Sequence, residues 1–546
     1  IRGRSGVAEY DVLIIGGGPN GLTLGAYLAK AGAKVFSVER RTEVGGGLAT
    51  EMVTLPGFYH NIHAIYHMMV DYAPAYTDLK LEEEYNCRYI YPPLQWTMLL
   101  KDGRALCMYN DVEKTCASIE KFSKKDADSY REAAAQYKRL MDGFLAPATF
   151  VPSVPALEQL VLFQMSELGQ EVHEISSKTP LEIVNETFEN EHVRALMLYL
   201  ACHWSLEPES DGVGYMVPLY INRFSNYGLC VGGSHCLSQA LYKTILDNGG
   251  TVYTSRIIKR IIVEDGTAKG VELSDGTVIE ARAVASTIDP SQTFLDLVGR
   301  PGISEDFEKR IEGWKWEKWS LFLAHLALEK APQFTAASAD PAINESFVYL
   351  MGYDTTEDVI KHYRAMERGE LLEDAGFECC FPSVHDPTQA PPGRHTGYIS
   401  MMAPYNLKQG AEAWYNRKLK EELAQQCLQT LAKYAPNMAG ENVLWQYLVT
   451  PLDIENKFMD MVQGSIKQGE YHALQMGFQR PNDEASQART PVKNLYFCGA
   501  GAYPGGLVLL GGGYIAADII AEDLGIKKWW PEPEMVTRAR ANNLLP

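Results

Sequence analysis

The sequence YDVLIIGGGPNGLTLGAYLAKAGAKVFSVE spans residues 10–39 and carries the clearest structural signal in the chain. An apolar run leads into three spaced glycines, a helix-period segment follows, and a second apolar run ends at Glu39. We expect Gly16 to permit a tight strand-to-helix turn, Gly18 to let a pyrophosphate approach bare backbone, and Gly21 to bring helix and strand together. Free N–H groups at the helix start would hold the negative charge. With Glu39 placed to accept hydrogen bonds from ribose hydroxyls, this order predicts a dinucleotide-binding unit.

Two further glycine-rich segments favour FAD over NAD. Arg40 and the glycines Gly45 and Gly46 follow the acid, and they would let a loop fold back over the phosphates, which a simple NAD domain does not require. Near the other end of the chain, an apolar strand ends at Gly499, and a Pro-Gly-Gly turn leads into an uncharged helix. A helix start with exposed backbone donors suits the electron-rich pyrimidine edge of a flavin.

Motifs in three regions match one family. They are ERRTEVGGGLATE at residues 39–51, VGGSHCL at 231–237 with GVELSDG at 270–276, and QMGFQRP at 475–481 before NLYFCG. On these motifs the chain resembles the phytoene-desaturase-related branch of FAD-dependent oxidoreductases, within the wider glutathione-reductase-like and amine-oxidase-like group. The resemblance implies that Glu39 binds the adenosine ribose, that the backbone of Ile258 contacts adenine, and that the C-terminal turn lies beside the isoalloxazine ring. The residues expected to bind FAD are Gly16, Gly18, Gly21, Glu39, Arg40, Gly45, Gly46, Ile258, Gly499, Gly506, Leu507 and Val508.

The positions of these motifs predict an α/β fold with a discontinuous domain. We expect a Rossmann-like, glutathione-reductase-like FAD-binding domain and an inserted α+β substrate domain, followed by a C-terminal tail. The FAD-binding domain would comprise residues 8–80, 228–300 and 485–528, the substrate domain 81–227 and 301–484, and the tail 529–546. Within the substrate domain, capping and periodicity predict helices over 123–145 and 416–435, and alternation predicts a strand over 314–322.

The last turn departs from the family pattern. The family usually has His-Pro-Gly-Gly-Gly there, whereas this chain has Tyr503 in place of the histidine and Leu507 in place of the third glycine. Leu510 also occupies a position where glycine is common. Side chains therefore replace bare backbone close to the expected flavin, which indicates FAD binding with a substrate other than the family's usual one.

Composition limits the partners. The net charge of −19 argues against nucleic acid, because phosphate binding needs a basic surface. The ten cysteines form no CxxC pair, which fits a reducing, cytoplasmic setting. The glycine-rich apolar run 499–517 is explained by the flavin turn, so we expect no transmembrane helix. The pair Trp529 and Trp530 beside two lysines suits either a lipid headgroup interface on the inner face of a membrane or packing on the protein's own surface.

The candidate catalytic residues are His60, His63 and Tyr503, with His203 as a weaker candidate. His60 and His63 form, with His67, the one histidine cluster of the sequence, in the segment that the resemblance places near the reactive face of the flavin. No acidic residues are in register with this cluster, so we expect no metal site. We interpret the histidines as polar lining of a substrate pocket, with an ordinary structural role as the alternative.

We expect an FAD-dependent desaturase or dehydrogenase that removes hydride from a C–H bond of a hydrophobic terpenoid, carotenoid-like or alicyclic substrate. Residues 146–165 and 212–224 are rich in apolar side chains, and the resemblance points to hydrophobic compounds. The chain lacks a second GxGxxG unit for NAD(P)H, so electrons would pass to oxygen or a quinone. Two alternatives remain: a redox-neutral isomerase or amine oxidase of the same fold, and a non-catalytic flavoprotein that serves as an interaction module.

Overall fold

The computed structural model describes residues 8–204 and 206–546. Its first layer, the nucleotide sheet, has the strand Tyr10–Ile15 at its centre, parallel to Val35–Val38 on one side and to Val278–Ser286 on the other. Because helices and loops cover both faces, this strand is a continuous apolar run rather than an alternating one. The full strand order is Thr251–Tyr253, Val35–Val38, Tyr10–Ile15, Val278–Ser286, Thr267–Leu273 and Ile258–Glu264, with Leu495–Phe497 also parallel to Val278–Ser286.

Three helices pack together beside the nucleotide sheet: Pro19–Lys30, His235–Asp247 and Gly511–Leu524. The first helix is buried along most of its length, and Gly25 lets it approach the second closely, since a Cβ there would lie 2.8 Å from the Ile245 side chain. The N-termini of the first and last helices are thereby fixed near the carboxyl ends of the parallel strands, where α/β proteins bind their ligands.

A second, mostly antiparallel sheet forms the other layer. Its long strand Trp319–Leu328 alternates between two environments: Phe322 contributes to a core shared with the helix Arg417–Tyr434, whereas Leu321 and Leu323 contribute to the main core on the opposite face. The strand order is Val443–Val449, Trp319–Leu328, His395–Pro404, Phe377–Cys380, Val348–Met351, Leu94–Leu99 and Ala105–Tyr109. Short strands at Thr50–Glu51 and His60–Asn61, and at Tyr66–His67, Gly228–Cys230 and Tyr89–Ile90, join the two layers.

Helices complete the second layer. They are Val112–Glu120, Lys124–Leu140, Ala156–Gln164, Glu167–Ser176, Pro180–Thr187, Glu191–Cys202, Met216–Phe224, Thr356–Glu367, Arg417–Tyr434 and Pro451–Phe458, with Glu534–Ala541 near the C-terminus. The helix Glu305–Glu312 instead packs on the nucleotide sheet, because Phe307 and Ile311 belong to the core of that sheet. The two helices expected over 123–145 and 416–435 are confirmed, the first capped by Ser123 and continued by a π-helical turn over Met141–Leu145. Among the described residues, none of the helices combines the length and apolarity needed to cross a bilayer.

The strand expected over 314–322 is wrong in its first half, because it begins only at Trp319. Residues 314 and 315 bind a loop instead: the Trp314 indole N–H donates to the carbonyl of Gln468, and the Lys315 amide donates to the side chain of Gln475. These bonds replace the ladder that a strand would need.

The tryptophan pair near the C-terminus packs on the protein's own surface. Trp529 stacks on Tyr27 with ring centroids 5.5 Å apart and donates its indole N–H to the Tyr27 carbonyl, and Trp530 is 5% exposed. The expected α/β class with a Rossmann-like nucleotide domain is confirmed, whereas the boundaries given for its segments stay a prediction.

Candidate active site

A groove runs from the carboxyl ends of the central parallel strands to the second sheet. Gly16, Glu39 and Thr287, each directly after one of those strands, line its near end, and Leu321 of the second sheet lines its far end. Its cavity volume of about 310 Å³ lies at the lower end of the roughly 300–1,000 Å³ typical of a pocket for one small ligand. One continuous groove thus connects the ends of the parallel strands with the second sheet.

The three glycines of the first turn have the separate roles that the sequence predicts. Gly16 has a φ of +99°, and a Cβ there would lie 2.5 Å from the Thr287 hydroxyl. A Cβ on Gly21 would collide with the Gly16 carbonyl, so this glycine lets the helix pack on the strand. A Cβ on Gly18 would point into open space within the groove. That space, in front of helix N–H groups that have no side-chain cap, fits a phosphate ligand.

Glu39 is fixed by the backbone around it. One carboxylate oxygen accepts the Gly17 amide at 2.8 Å, and the other accepts the Arg41 amide at 2.7 Å. The side chain is 9% exposed and lines the groove. A carboxylate has about four acceptor positions, so two bonds leave capacity for ribose hydroxyls.

The loop after Glu39 folds back over the first turn, as expected. The Gly45 amide donates to the Gly17 carbonyl at 2.7 Å, with Gly45 at φ +121° and Gly46 at φ +52°. Arg40 and Ile258 line the same end of the groove, and Arg40 is held by a bond from its guanidinium to the Lys457 carbonyl. The residues expected to contact ribose and adenine thus lie together.

The C-terminal turn reaches the opposite end of the groove. Gly506, Leu507 and Val508 line it, while Gly499 lies behind it, where a Cβ would collide with the Thr287 carbonyl. Leu507 and Val508 have φ values of +67° and +57°, a left-handed conformation that favours glycine. The chain has kept the backbone of a glycine turn while adding side chains, and such strain, about 1–3 kcal/mol per residue, concentrates at functional sites.

Arg480 holds this turn in place from behind. Its fully buried guanidinium donates to the carbonyls of Ala500 at 2.9 Å and Lys467 at 2.8 Å. Arg480 therefore joins the segment that follows the strand Leu495–Phe497 to the 465–470 loop. The ring faces of Trp314 and Tyr471 flank the same cation at 5.2 and 4.9 Å.

Charged lining residues concentrate at the nucleotide end. Arg40 and Arg41 adjoin Glu39, and the backbone of Arg256 donates to the Glu39 carbonyl. Asp460 lines the same end of the groove. Burial and the charges of Asp289 and Glu39 raise its pKa to about 7. A glycine turn, uncapped helix N–H groups, a bound carboxylate and this groove together fit a dinucleotide.

The far end, which we call the aromatic chamber, is lined by Tyr66, Trp204, Tyr227, Leu321 and Ile466. Tyr66 stacks on Tyr227 with ring centroids 4.2 Å apart, and the Trp204 indole N–H donates to the Tyr227 hydroxyl at 3.1 Å. This chamber is apolar and aromatic, and the Tyr66 hydroxyl is bonded to Glu378 behind it.

The candidate histidines separate into two locations. His63 lines the groove, its ring packs edge-on against Phe458 at 4.6 Å, and burial, helped by the charges of Lys457 and Arg41, lowers its pKa to about 3. His60 lies behind the lining, bonded to the Thr54 hydroxyl at 2.7 Å, and burial lowers its pKa to about 4. Both rings are therefore neutral near pH 7, and their catalytic roles stay a prediction.

The two remaining candidates also lie behind the lining. The Tyr503 hydroxyl donates to the Ala148 carbonyl at 2.6 Å, so it joins the C-terminal turn to the short helix Ala146–Ala148. His203 stacks on Tyr199 at 5.0 Å, and its Nε2 is 3.8 Å from a carboxylate oxygen of Glu378. A catalytic role for Tyr503 likewise stays a prediction.

Sequence reasoning missed the aromatic chamber and the acid behind it. Tyr66, Trp204 and Tyr227 come from three distant segments, and no local motif marks them. Glu378 did leave a signal, because it is the only charged residue in the run GFECCF at 376–381. An acid within a buried strand is costly unless its carboxyl is bonded, which makes it a candidate for function.

Similar proteins share the full length of this chain. One component of the limonene dehydrogenase of Castellaniella defragrans is 41% identical over 559 residues, covering 99% of this chain and 100% of that protein. A lycopene-forming phytoene desaturase of Pseudescherichia vulneris is 23% identical, covering 94% of this chain and 99% of its own length. The predicted resemblance to desaturases is confirmed.

Solved structures share the fold. An oxidoreductase from Methanosarcina mazei, 17% identical, superposes with a TM-score of 0.61 over 94% of this chain and 100% of its own. Cyclohexylamine oxidase from Brevibacterium oxydans, 16% identical, superposes with a TM-score of 0.57 over 94% and 99%. The family model described as flavin containing amine oxidoreductase matches residues 21–521. The chain is a flavin-dependent oxidoreductase and belongs to the flavin containing amine oxidoreductase family.

Proposed function

We propose that the protein is an FAD-dependent dehydrogenase that oxidises a CH–CH unit of a small, cyclic terpenoid hydrocarbon. The observation that carries the proposal is the division of one groove into a nucleotide end and an aromatic chamber. The chamber offers aromatic rings and aliphatic side chains, which suit an apolar hydrocarbon. The 41% identity to a limonene dehydrogenase component over the whole chain supports the same substrate class.

FAD is the flavin that fits this groove best. Glu39 with two backbone bonds, Arg40 and Ile258 line one end, and they would hold an adenosine moiety. A flavin without a nucleotide would leave that end unfilled. When bound, FAD supplies a two-electron acceptor for the hydride that leaves the substrate.

The chain's own residues would position the substrate and keep water away. Tyr66, Trp204 and Tyr227 form rigid walls of the chamber, because the Tyr66 hydroxyl is hydrogen-bonded to Glu378 and the Trp204 indole to the Tyr227 hydroxyl. An apolar ring buried there would gain roughly 25 cal/mol per Å² of apolar surface removed from water. A substrate held there would have a C–H bond next to the turn at Gly506 to Val508, which lines the same groove.

The electron acceptor and location complete the proposal. We infer that oxygen or a quinone receives the electrons, and that the protein acts in the cytoplasm with peripheral contact to the inner membrane face. All ten cysteines are free thiols, as in reducing compartments. The helix Ala156–Gln164 exposes Leu157, Val161 and Met165 on one side, which suits contact with a bilayer that stores apolar substrate.

Acceptor-coupled turnover distinguishes the alternatives. Purified holoprotein would be supplied with oxygen or a soluble quinone and, in parallel, with cyclic monoterpenes such as limonene, carotenoid precursors and cyclic or aliphatic amines. We expect stoichiometric acceptor consumption and dehydrogenated product with the monoterpenes alone. Amine-dependent turnover would favour an amine oxidase, and product formed without acceptor consumption would favour an isomerase. FAD binding without turnover on any compound would favour a non-catalytic module.

A further inference from the structure

Glu378 lies at the middle of the molecule, directly behind the aromatic chamber. It belongs to the strand Phe377–Cys380 of the second sheet. Phe377 and Cys379 face the core beneath the helix Arg417–Tyr434, so alternation turns Glu378 towards the chamber. The residue is 3% exposed. A carboxyl in this position has no access to solvent except through its neighbours.

Tyr66 connects this carboxyl to the chamber. Its hydroxyl donates to one Glu378 oxygen at 2.7 Å, and its ring lines the groove. The ring is held between Tyr227, stacked at 4.2 Å, and Phe347, edge-on at 5.7 Å. The backbone of Tyr66 pairs with Leu229 in a short strand, so the hydroxyl position is fixed.

The other groups around Glu378 do not neutralise it. Tyr199 donates to its second oxygen at 3.3 Å, and His203 lies 3.8 Å away. Burial lowers the pKa of His203 to about 3, so this ring is neutral at physiological pH. The remaining titratable neighbours are tyrosines and thiols from four elements: Tyr227, Tyr353, Tyr398, Cys379 and Cys380.

Burial raises the pKa of Glu378 to about 7, although the hydroxyls of Tyr66 and Tyr199 act in the opposite direction. A purely structural acceptor for two tyrosines would be served equally well by a glutamine. A carboxyl that changes charge near neutral pH, one hydrogen bond behind a pocket wall, suits acid–base chemistry.

We propose that Tyr66 accepts the proton that the substrate releases, and that Glu378 acts through Tyr66 as its positioning residue and proton store. This inference rests on the proposed function. Dehydrogenation breaks one C–H bond with loss of a hydride, which the flavin would take up when bound, and it breaks a second C–H bond on the adjacent carbon. The electron pair of the second bond forms the C=C bond, and its proton passes to the Tyr66 oxygen. The Tyr66 proton passes along the 2.7 Å bond to the Glu378 carboxylate, which releases it after turnover.

The pH dependence follows from the same relay. Tyr66 accepts a proton only while Glu378 is ionised to receive one. The rate of flavin bleaching by substrate should therefore rise as the pH passes about 7 and level off above it.

Three variants test the relay by single-turnover bleaching on both sides of pH 7. Tyr66→Phe and Glu378→Gln should slow bleaching by about 100-fold or more, since general acid–base catalysis typically contributes 10²–10⁴-fold. Glu378→Gln should also lose the rise with pH. Tyr199→Phe is the matched control: it removes a hydrogen bond to the same carboxyl without touching the chamber wall. It should keep the plateau rate within a few-fold and move the midpoint to higher pH.

A second readout follows Glu378 without turnover. In substrate-free holoprotein, infrared difference spectra across pH 7 should show loss of a protonated-carboxyl C=O stretch that is missing in Glu378→Gln. Subtracting the spectrum of Glu378→Gln removes the signals of Asp289 and Asp460, because burial also raises the pKa values of these two residues to about 7. Identical wild-type and Glu378→Gln spectra would overturn the inference. Bleaching rates and pH profiles of Tyr66→Phe and Glu378→Gln that match the wild type would overturn it as well. If no terpenoid bleaches the wild type, the proposed function fails first; if the wild type bleaches and the variants match it, the relay alone fails.

Discussion

The two ends of the groove are built in different ways. At the nucleotide end, backbone groups form most of the surface that would hold the cofactor. Gly16 and Gly18 leave space for it, and helix N–H groups and the fixed carboxylate of Glu39 face that space. In the aromatic chamber, the contacts are side chains such as Tyr66 and Trp204, drawn from distant parts of the chain. A backbone site constrains a short motif, whereas a side-chain site leaves each position free to vary. We therefore expect the cofactor end to preserve family identity and the chamber to set the substrate.

The sharpest test of this division is a pair of glycine substitutions one helical turn apart. Gly18→Leu should fold normally, because the residue has φ −75° and a Cβ there meets nothing within 4 Å, yet its side chain would fill the phosphate space. We expect purified Gly18→Leu to contain almost no flavin while its circular dichroism stays native. Gly21→Leu should instead fail to fold, since its Cβ collides with the Gly16 carbonyl. Full flavin content in Gly18→Leu would contradict the assignment.

The next largest effect concerns Arg480, which joins the segments at Ala500 and Lys467. Arg480→Met removes several charge-assisted bonds to buried carbonyls, each worth about 1.5–3 kcal/mol. We expect the free energy of unfolding to fall by at least about 3 kcal/mol in urea titrations, with partial loss of flavin. Arg489→Met is the control, because its pair with Asp523 is partly exposed and should cost about 1 kcal/mol or less. Equal losses in the two variants would show that Arg480 has no special role.

Much of the nucleotide end follows from sequence because its causes are local. The strand, the glycines and Glu39 lie within thirty residues of one another, and their spacing alone determines the geometry. The chamber could not be predicted in this way. Tyr66 and Glu378, its most informative pair, are 312 residues apart and meet only because the strand Phe377–Cys380 of the second sheet lies behind the short strand Tyr66–His67. The strand expected at Trp314 was wrong for a similar reason, since its ring is captured by a loop more than 150 residues away.

The chamber acid should also leave a mark on stability. The folded-state pKa of Glu378 is about 7, above its ordinary value of 4.5, so the folded protein binds more protons than the unfolded chain between these values. Its contribution to stability is therefore present below about pH 4.5 and is lost as the pH rises through 7. Since one pKa unit corresponds to 1.36 kcal/mol, the free energy of unfolding falls by roughly 3 kcal/mol over this pH range.

Glu378→Gln lacks this titration. We expect its melting temperature to exceed that of the wild type by more at pH above 7 than at pH near 4.5. Glu305→Gln, whose side chain is exposed, provides the comparison and should change the melting temperature only slightly. Parallel wild-type and Glu378→Gln curves would mean that the chamber carboxyl is not held near neutrality.

The smallest effect concerns how substrate reaches the chamber. Leu157→Ser with Val161→Ser should reduce sedimentation with anionic vesicles by a few-fold, because these side chains are 74% and 55% exposed on the helix Ala156–Gln164. Stability should change by less than about 0.5 kcal/mol. Leu444→Ser with Trp445→Ser, on the exposed edge of the second sheet, is the matched control and should leave sedimentation unchanged. Equal binding by all three proteins would remove the helix as a membrane contact.

Anaerobic titration of the wild-type holoprotein with limonene, followed by flavin absorbance, tests most directly whether the two ends act as one site. We expect one equivalent per bound flavin to bleach the cofactor completely. Leu321→Trp, which narrows the chamber far from Glu39, should retain its flavin and stay coloured. A wild type that keeps its colour in saturating cyclic monoterpene, yet bleaches with an amine, would contradict the account.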